Sequence, residues 1–488
     1  MTLSERLVAH SVGLLAILCA MQALVWTLVP ALTHSAPPLD VVEMLVWGRE
    51  GVVATYKHPN LPGLLLEAVR RLAFDALWPA YAVAQACVVA SFIAVYLLGR
   101  DLLGSSRALA GTLLLTGIFY YSWPTPEMNH NLMQMPFWAW TCLALWRSVQ
   151  GGRLHWWLLL GAFAGLSLWA KYSSGLLLAA AGVWILADAQ ARAQLARVGP
   201  WAALAAFAVV AAPQAQFLIE TDFLPFDYAL ARAGSGRIGG PLSFLLTQIA
   251  DHGVFLLMAL AAGLFGRGAA RLPAEEARGR RFLVFMGLLP ALLAALAAGV
   301  TGMGLKDMWG MPMFNLSGLL LLAFLPGRFD GRRLVRIAAA AGMLVALVPA
   351  IYAVSVFLRA ERSDKPSRVV WPQEEIASRL LRAYEGETGA VPRIVAGPVW
   401  EAGLVGLAAP GAPSVSIDGD ERKAPWATEK DIEEQGALAV WRTGSALPPA
   451  LAALVAGRAQ HRESFRWSGS ANAHPIRITW AVIPPRAP

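Results

Sequence analysis

Long apolar segments separated by short basic connections dominate the first 358 residues. A helix needs about 20 residues to cross roughly 30 Å of hydrocarbon, and these apolar runs approach that length. They predict eleven membrane spans, at approximately residues 10–32, 78–98, 107–121, 131–148, 155–171, 174–188, 200–219, 243–265, 281–301, 310–326 and 334–358. The first run is too long for the apolar region of a usual signal peptide, so we expect a retained helix.

The arginines between the spans predict how the chain is oriented. If the N-terminus is cytoplasmic, every inner loop is basic, as the positive-inside rule requires. The inner loops then carry Arg100, Arg107, Arg147, Arg153, Arg192, Arg197, Arg267, Arg271, Arg278, Arg280, Arg281, Arg328, Arg332, Arg333 and Arg336. The loops at 33–77, 122–130, 172–173, 220–242 and 302–309, and the segment after residue 358, are expected on the outer face.

Composition agrees with a multi-pass membrane protein. The chain is 57% hydrophobic and only 15% charged, with 19 tryptophans and a mean hydropathy of +0.52, which excludes an ordinary soluble domain. The arginines of the short loops account for the net charge of +8, so nucleic acid is not expected as a partner. Cys19, Cys87 and Cys142 all lie in apolar spans, which excludes a disulfide framework.

Beyond residue 358 the chain takes on the composition of a soluble domain. Short β-like runs at 393–396, 414–417, 437–441 and 476–483 alternate with helical stretches near 374–385, 400–409 and 446–456. They predict a small α/β domain over residues 359–488, outside the membrane domain of residues 1–358. We interpret the acidic pairs Glu374-Glu375 and Asp418-Asp420 as solvated surface.

The first outer loop carries acidic residues at helical spacing. Asp40, Glu43, Trp47 and Glu50 fall on one face of a predicted helix, and the preceding prolines would fix the position of Asp40. An amphipathic helix lying at the membrane interface, with its carboxylates in water, is the structural alternative.

A lysine follows in a rigid turn, Lys57-His58-Pro59-Asn60-Leu61-Pro62. Two prolines restrict the backbone around Lys57, and a fixed lysine can hold a phosphate as a point charge. The alternative is a lysine that extends its ammonium to the lipid headgroups. His58 could donate a hydrogen bond to a substrate, or pack or cap.

The second outer loop concentrates groups that could bind a sugar or a polar acceptor. It places Glu127, Asn129, His130 and Asn131 within five residues, beside aromatic side chains. A polar turn that caps the next span is the alternative. His58 and His130 could together contribute to a divalent metal site, but ligands so far apart in sequence cannot be placed, and we predict no metal site.

Other cations lie on the face where the positive-inside rule makes them scarce. Lys171 and Lys306 sit in tight connections beside aromatic residues, and an anion such as a lipid phosphate would account for them. Arg232 and Arg237 flank Gly234-Ser235-Gly236, which suggests a mobile lid over such a phosphate, with a solvated loop as the alternative.

Taken in order, these motifs resemble those of a family. Leu39-Asp40-Val41-Val42-Glu43, Lys57 to Pro62 and Pro126 to Asn131 look like bacterial members of the protein mannosyltransferase and aminoarabinose transferase group. Ala170-Lys171-Tyr172-Ser173 and Lys306-Asp307-Met308-Trp309-Gly310 are also similar. The likeness covers roughly residues 1–358.

The resemblance implies a GT-C fold with about eleven helices, and an active site on the outer face of a bacterial inner membrane. It implies a sugar donor carried on a polyprenyl phosphate, and an acceptor that is lipid A, another envelope glycan or a protein. Asp40 would be the catalytic base, Lys57 would hold the donor phosphate, and Glu127 would support the acceptor or the sugar. The turn departs from the group at Asn60, where a proline is expected in many relatives.

The remaining assignments complete the predicted site. Lys171, Arg232, Arg237 and Lys306 would join Lys57 at the donor phosphate. Substrate contacts are predicted for Glu43, His58, Asn129, His130, Asn131, Tyr172, Asp307 and Trp309. We expect an inverting glycosyltransferase that needs no nucleotide. A transporter or flippase of lipid-linked saccharides is the alternative, and it predicts ionisable groups near the bilayer midplane.

Overall fold

A computed structural model describes residues 11–73, 76–233, 239–265, 274–325, 329–470 and 472–486. The helices of the membrane part are α1 (Ser11–Thr33), α2 (Leu39–Arg49), α3 (Leu61–Leu72), α4 (Trp78–Leu103), α5 (Ser105–Leu114), α6 (His130–Gly151), α7 (Leu154–Ala170), α8 (Gly175–Ala187), α9 (Ala189–Gln194), α10 (Val198–Glu220), α11 (Leu224–Ala233), α12 (Pro241–Asp251), α13 (Gly253–Ala261), α14 (Ala274–Thr301), α15 (Ser317–Phe324) and α16 (Gly331–Arg362).

Each of the eleven predicted spans contains at least one of these helices. Within the described residues, α1, α4, α10, α14 and α16 are long and apolar enough to cross a membrane, and α12 with α13 would make a sixth span bent by 40°. The helices in the other predicted spans are shorter or more polar, and α6 begins with His130 and Asn131. The structure therefore supports a helical membrane protein, with eleven as an approximate helix count.

The C-terminal part is built around one mixed sheet. Its elements are α17 (Gln373–Thr388), β1 (Ile394–Gly397), α18 (Val399–Ala408), β2 (Ser414–Ile417), α19 (Glu429–Gln435), β3 (Ala437–Arg442), α20 (Pro449–Leu454), β4 (His461–Phe465) and β5 (Ile476–Ile483). The strand order is β2-β1-β3-β5-β4. β2, β1 and β3 are parallel, and β5 is antiparallel to both of its neighbours. Four of the strands coincide with predicted runs, and β4 was missed.

The short helix α2 lies between the membrane helices and this sheet. Residues Val41 to Gly48 are all buried, so the alternative interpretation, an amphipathic helix with its carboxylates in water, does not hold for Glu43. Gly48 has no side chain because the backbone of Gly63 on α3 occupies the space that a Cβ would need. The close approach of the two backbones fixes α2 against α3.

The C-terminal part holds α2 from the opposite side. Arg49 Nη1 donates to the carbonyl oxygens of Gly406 at 2.8 Å and Pro413 at 3.3 Å. The N–H groups of Ser35 and Ala36, just before α2, donate to Val369 O at 2.7 and 3.1 Å. Both ends of α2 are therefore tied to residues beyond α16, which positions every side chain that α2 carries.

Candidate active site

Asp40 and Glu127 approach each other at the start of α2. Asp40 is the second residue of that helix, and its main-chain N–H donates to Glu127 Oε1 at 3.4 Å. Burial raises the pKa of Glu127 to about 7, and repulsion from Asp40 adds to the increase. The two predicted carboxylates thus share one site, although 87 positions separate them in the chain.

Four cations surround Asp40. Burial raises the pKa of its carboxyl, and the positive charges of Lys57, Lys306, Lys171 and Arg368 oppose that increase. Three of these cations were predicted from sequence as phosphate ligands. The structure brings them around one carboxylate, so this end of the bundle can bind an anion beside a base.

Lys57 forms an ion pair with Glu43. Its ammonium donates to Glu43 Oε2 at 2.7 Å and Oε1 at 3.0 Å, and Glu43 is only 7% exposed. Burial acts to lower the pKa of Lys57, but the Glu43 carboxylate outweighs it and the pKa is raised. Lys57 also lies 5.8 Å from the centroids of the Trp47 and Tyr228 rings. Glu43 is therefore a partner of the lysine as well as a predicted substrate contact.

The turn that carries Lys57 is rigid without the missing proline. Asn60 Nδ2 donates to Val52 O at 2.8 Å and to Trp47 O at 3.1 Å. The N–H of Thr55 donates to His58 O at 2.9 Å. These bonds close the loop onto the end of α2, so the side chain of Asn60 itself restrains the turn.

Lys171 lies in the short connection after α7. Its ammonium donates to Asn131 Oδ1 at 2.5 Å and lies 5.1 Å from the centroid of the Trp309 ring. Burial lowers the pKa of Lys171 to about 7, and the positive charge of Lys306 adds to the decrease. An anion placed here would restore the charge of the lysine. Asn131 and Trp309 thus join the site through Lys171.

A cavity of about 490 Å³ opens beside Glu127. Its lining includes Glu127, Asn129, Arg232, Lys306 and Asp307. Burial lowers the pKa of Lys306, and Arg232 adds to the decrease, so two cations face the same space.

Other residues of that region have structural contacts. The carbonyl oxygen of Asp307 accepts hydrogen bonds from Tyr120 Oη at 2.7 Å and Gln248 Nε2 at 3.1 Å. Tyr172 Oη lies 3.0 Å from Gln214 Oε1. Arg237, with the Gly234–Gly236 segment predicted as a lid, lies outside the described residues.

Asn129 and His130 have structural partners. Asn129 Oδ1 accepts hydrogen bonds from the N–H groups of Asn131 at 2.9 Å and Leu132 at 3.1 Å, so Asn129 caps α6. His130 Nε2 is 3.1 Å from Pro59 O, and its ring centroid is 4.4 Å from that of His58. Among the described residues, no group of three or more His, Cys, Asp or Glu side chains could hold a metal ion.

Three features of the site were missed in the sequence. Arg368 follows α16 and acts on both Asp40 and Glu127. Tyr228 of α11 faces Lys57. Burial raises the pKa of the Tyr56 hydroxyl, and the charges of Asp418 and Asp420 raise it further. We interpreted these two aspartates above as solvated surface. For Tyr228, proximity in sequence to Arg232 was the available signal, whereas Arg368 had none.

Comparison with known proteins agrees with this description. The family profile described as dolichyl-phosphate-mannose-protein mannosyltransferase matches residues 57–217. The fold is similar to that of ArnT from Cupriavidus metallidurans bound to undecaprenyl phosphate, with 14% identity and a TM-score of 0.52, covering 96% of this chain and 98% of that chain. The archaeal oligosaccharyltransferase AglB from Archaeoglobus fulgidus, in complex with an inhibitory peptide and a dolichol-phosphate, is 11% identical, with a TM-score of 0.40, covering 88% of this chain and 69% of AglB. No protein of curated function matches the sequence.

The fold therefore defines a multi-pass membrane protein with the GT-C architecture of membrane glycosyltransferases. The family match and the shared fold confirm the resemblance to the protein mannosyltransferase and ArnT-like group that the sequence motifs indicated.

Proposed function

We propose that this protein transfers a sugar from a polyprenyl-phosphate donor to an acceptor hydroxyl, with inversion at the anomeric carbon. The observation that carries the proposal is the partly buried carboxylate of Asp40, beside Glu127 and within reach of the charges of three lysines. Cations are needed for the donor phosphate and a carboxylate is needed for the acceptor, and both are present at one end of the bundle.

The lysines would act on the leaving group. As the bond between the anomeric carbon and the phosphate oxygen breaks, negative charge grows on the polyprenyl phosphate. Fixed ammonium groups stabilise that charge more in the transition state than in the ground state. Lys171 and Lys306 are the first candidates, because neither has a carboxylate partner among the described residues, whereas Lys57 already contacts Glu43.

Asp40 would act on the acceptor. Its carboxylate takes the proton of the acceptor hydroxyl while the hydroxyl oxygen attacks the anomeric carbon from the face opposite the phosphate. Burial raises the pKa of Asp40, which makes its carboxylate a stronger base. Glu127 would hold the acceptor or the sugar at the edge of the 490 Å³ cavity.

The cellular setting is part of the proposal. The basic loops of the sequence favour a site and a C-terminal domain on the outer face of a bacterial inner membrane. ArnT, whose fold is similar, was crystallised with undecaprenyl phosphate, which supports a lipid-linked donor here. The acceptor would be an envelope lipid, a glycan or a protein.

The test compares envelope lipids and glycans by mass spectrometry in cells with and without the protein, because the lost mass identifies the sugar. The purified protein is then assayed for release of polyprenyl phosphate from the identified donor. Asp40→Asn should lower kcat by roughly 10²- to 10⁴-fold, and Asp364→Asn, at an exposed position, should match the wild type. Undiminished transfer by Asp40→Asn would overturn the assignment of the base.

A further inference from the structure

The segment Arg368–Val370 connects the start of α2 to the C-terminal sheet. Val369 O accepts the two hydrogen bonds from Ser35 and Ala36, five and four residues before Asp40. Val370 O accepts a hydrogen bond from the N–H of Ser468 at 3.0 Å. Arg368 therefore projects from a short 3-10 helix that is fixed on both sides, close to the proposed base.

Two arginines stack on a pair of tryptophans at this junction. The Arg368 guanidinium lies 5.6 Å from the centroid of the Trp400 ring, and that of Arg442 lies 6.0 Å from the centroid of Trp371. The two rings meet edge to face with their centroids 5.8 Å apart. These cation–π contacts hold both guanidinium groups beside the rings without using their N–H donors.

Those donors face solvent, and the Glu401 carboxyl group lies within electrostatic reach of both arginines. Both arginine side chains are exposed. Across the part of the chain that the structure describes, neither guanidinium donates a hydrogen bond or joins an ion pair. Each guanidinium has five N–H donors in a planar fork that matches phosphate oxygens.

The sheet places this pair where open α/β sheets bind ligands. β1 and β3 are adjacent and parallel, and Arg442 ends β3 while Trp400 follows β1. After β1 the chain continues to β2 at one edge of the sheet, whereas after β3 it continues to β4 at the opposite edge. Such a point, at the carboxyl ends of the strands, forms a crevice.

Arg368 belongs to a different segment from the lysines, one that is bonded to the chain just before α2 through Val369. Lys57 and Lys306 act on Glu43, whereas Arg368 acts on Glu127. A donor phosphate held by the lysines would leave Arg368 free for the other substrate.

We propose that Arg368 and Arg442 bind a phosphate group of the acceptor and place a neighbouring hydroxyl beside Asp40. The assignment of this phosphate to the acceptor rests on the proposed glycosyl transfer. The C-terminal domain would then select acceptors that carry a phosphate.

The experiment uses the full chain in phosphatidylcholine nanodiscs saturated with undecaprenyl phosphate, so that the donor site is filled. Calorimetry then measures binding of inorganic phosphate in one arm and of dihexanoyl phosphatidic acid in the other. Binding of the lipid alone indicates a lipid headgroup, and equal binding of both indicates recognition of the phosphate itself. Either result supports the proposal if Arg368→Gln and Arg442→Gln each weaken binding at least tenfold.

Arg382→Gln is the matched control, since Arg382 is exposed on α17 and the cation–π contacts of the tryptophan pair are made by Arg368 and Arg442. Size-exclusion profiles verify that each variant is folded. Failure to bind either probe, or wild-type affinity in both glutamine variants, would overturn the phosphate site. Absence of sugar transfer by the wild type, with phosphate binding still dependent on Arg368, would instead overturn the proposed function.

Discussion

The main-chain N–H of Asp40 donates to Oε1 of Glu127 at 3.4 Å, which places two carboxylates in one half-buried site. Burial together with repulsion from Asp40 raises the pKa of Glu127 to about 7. Loss of the Glu127 proton as the pH rises through about 7 therefore adds a second acidic charge to the pair. The second charge strengthens Asp40 as a base, because it disfavours the ionised form of its neighbour.

This pair predicts a pH dependence of transfer. In the wild type at saturating donor, where the bound phosphate keeps Lys171 charged, kcat should rise as the pH increases through about 7, since Glu127 loses its proton there. Glu127→Gln removes that titration, so its profile should be flat in this range and its activity lower at pH 8. The measurement is the initial transfer rate at saturating donor from pH 5.5 to 8.5, with Glu375→Gln on the exposed face of α17 as the control. If the rate of Glu127→Gln still rises through pH 7 as in the wild type, the titration belongs to another group.

The ion pair of Lys57 with Glu43 predicts an asymmetric loss of stability. Lys57→Met leaves a buried carboxylate without its partner, which costs about 3–5 kcal/mol in comparable pairs. The double variant Lys57→Met with Glu43→Gln should recover much of the lost stability, because it no longer buries an unpaired carboxylate. Thermal unfolding in detergent should rank the wild type highest, the double variant next and Lys57→Met lowest.

An exposed pair provides the comparison. Arg379 Nη2 lies 2.7 Å from Glu375 Oε1, and both side chains are nearly half exposed. Arg379→Met should therefore change the unfolding temperature little. Equal effects of Lys57→Met and Arg379→Met would show that the buried pair is not held as the structure places it.

Lys171 predicts proton uptake when the donor binds. Its pKa is lowered to about 7 by burial, so most of the free protein carries a neutral Lys171 at pH 8. A bound phosphodiester raises that pKa, and the affinity should fall by up to about tenfold per pH unit above 7. Titration of a polyprenyl phosphodiester analogue in buffers of different ionisation enthalpy measures both quantities.

A methionine variant tests whether Lys171 is responsible. Lys171→Met should bind the analogue more weakly at pH 6, and it should take up far fewer protons on binding than the wild type. The phosphodiester itself does not titrate in this range. Proton uptake that persists in Lys171→Met would therefore belong to another group.

The membrane spans and the main site motifs could be predicted because their signals are local. Apolar length marks the spans, and prolines beside Asp40 and Lys57 mark fixed turns. The contacts that complete the site join distant segments: Arg368 is 328 positions after Asp40, counted along the sequence. Contacts between distant segments also decide whether Asn129 caps a helix or binds a substrate, so its role could not be predicted. The burial of α2 was missed for the same reason, because the sheet that covers it begins only at Ile394.

The contact between α18 and α2 predicts the effect of one added methyl group. A Cβ on Gly403 would lie 2.6 Å from Val42 Cγ1 and 3.2 Å from Val46 Cγ2. Valine side chains are stiff at χ1 and cannot turn aside, so α18 must move away from α2 at a cost of about 1–3 kcal/mol. Because α2 carries Asp40, Gly403→Ala should lower transfer several-fold and increase hydrogen exchange in α18.

Gly386→Ala is the matched control on the neighbouring helix α17. No atom outside its own helix lies within 4 Å of a Cβ at this position, and alanine in place of glycine inside a helix stabilises by roughly 0.5–1 kcal/mol. Its activity and exchange should equal those of the wild type. Wild-type transfer by Gly403→Ala, together with increased exchange in α18, would show that the position of Asp40 does not depend on the C-terminal domain.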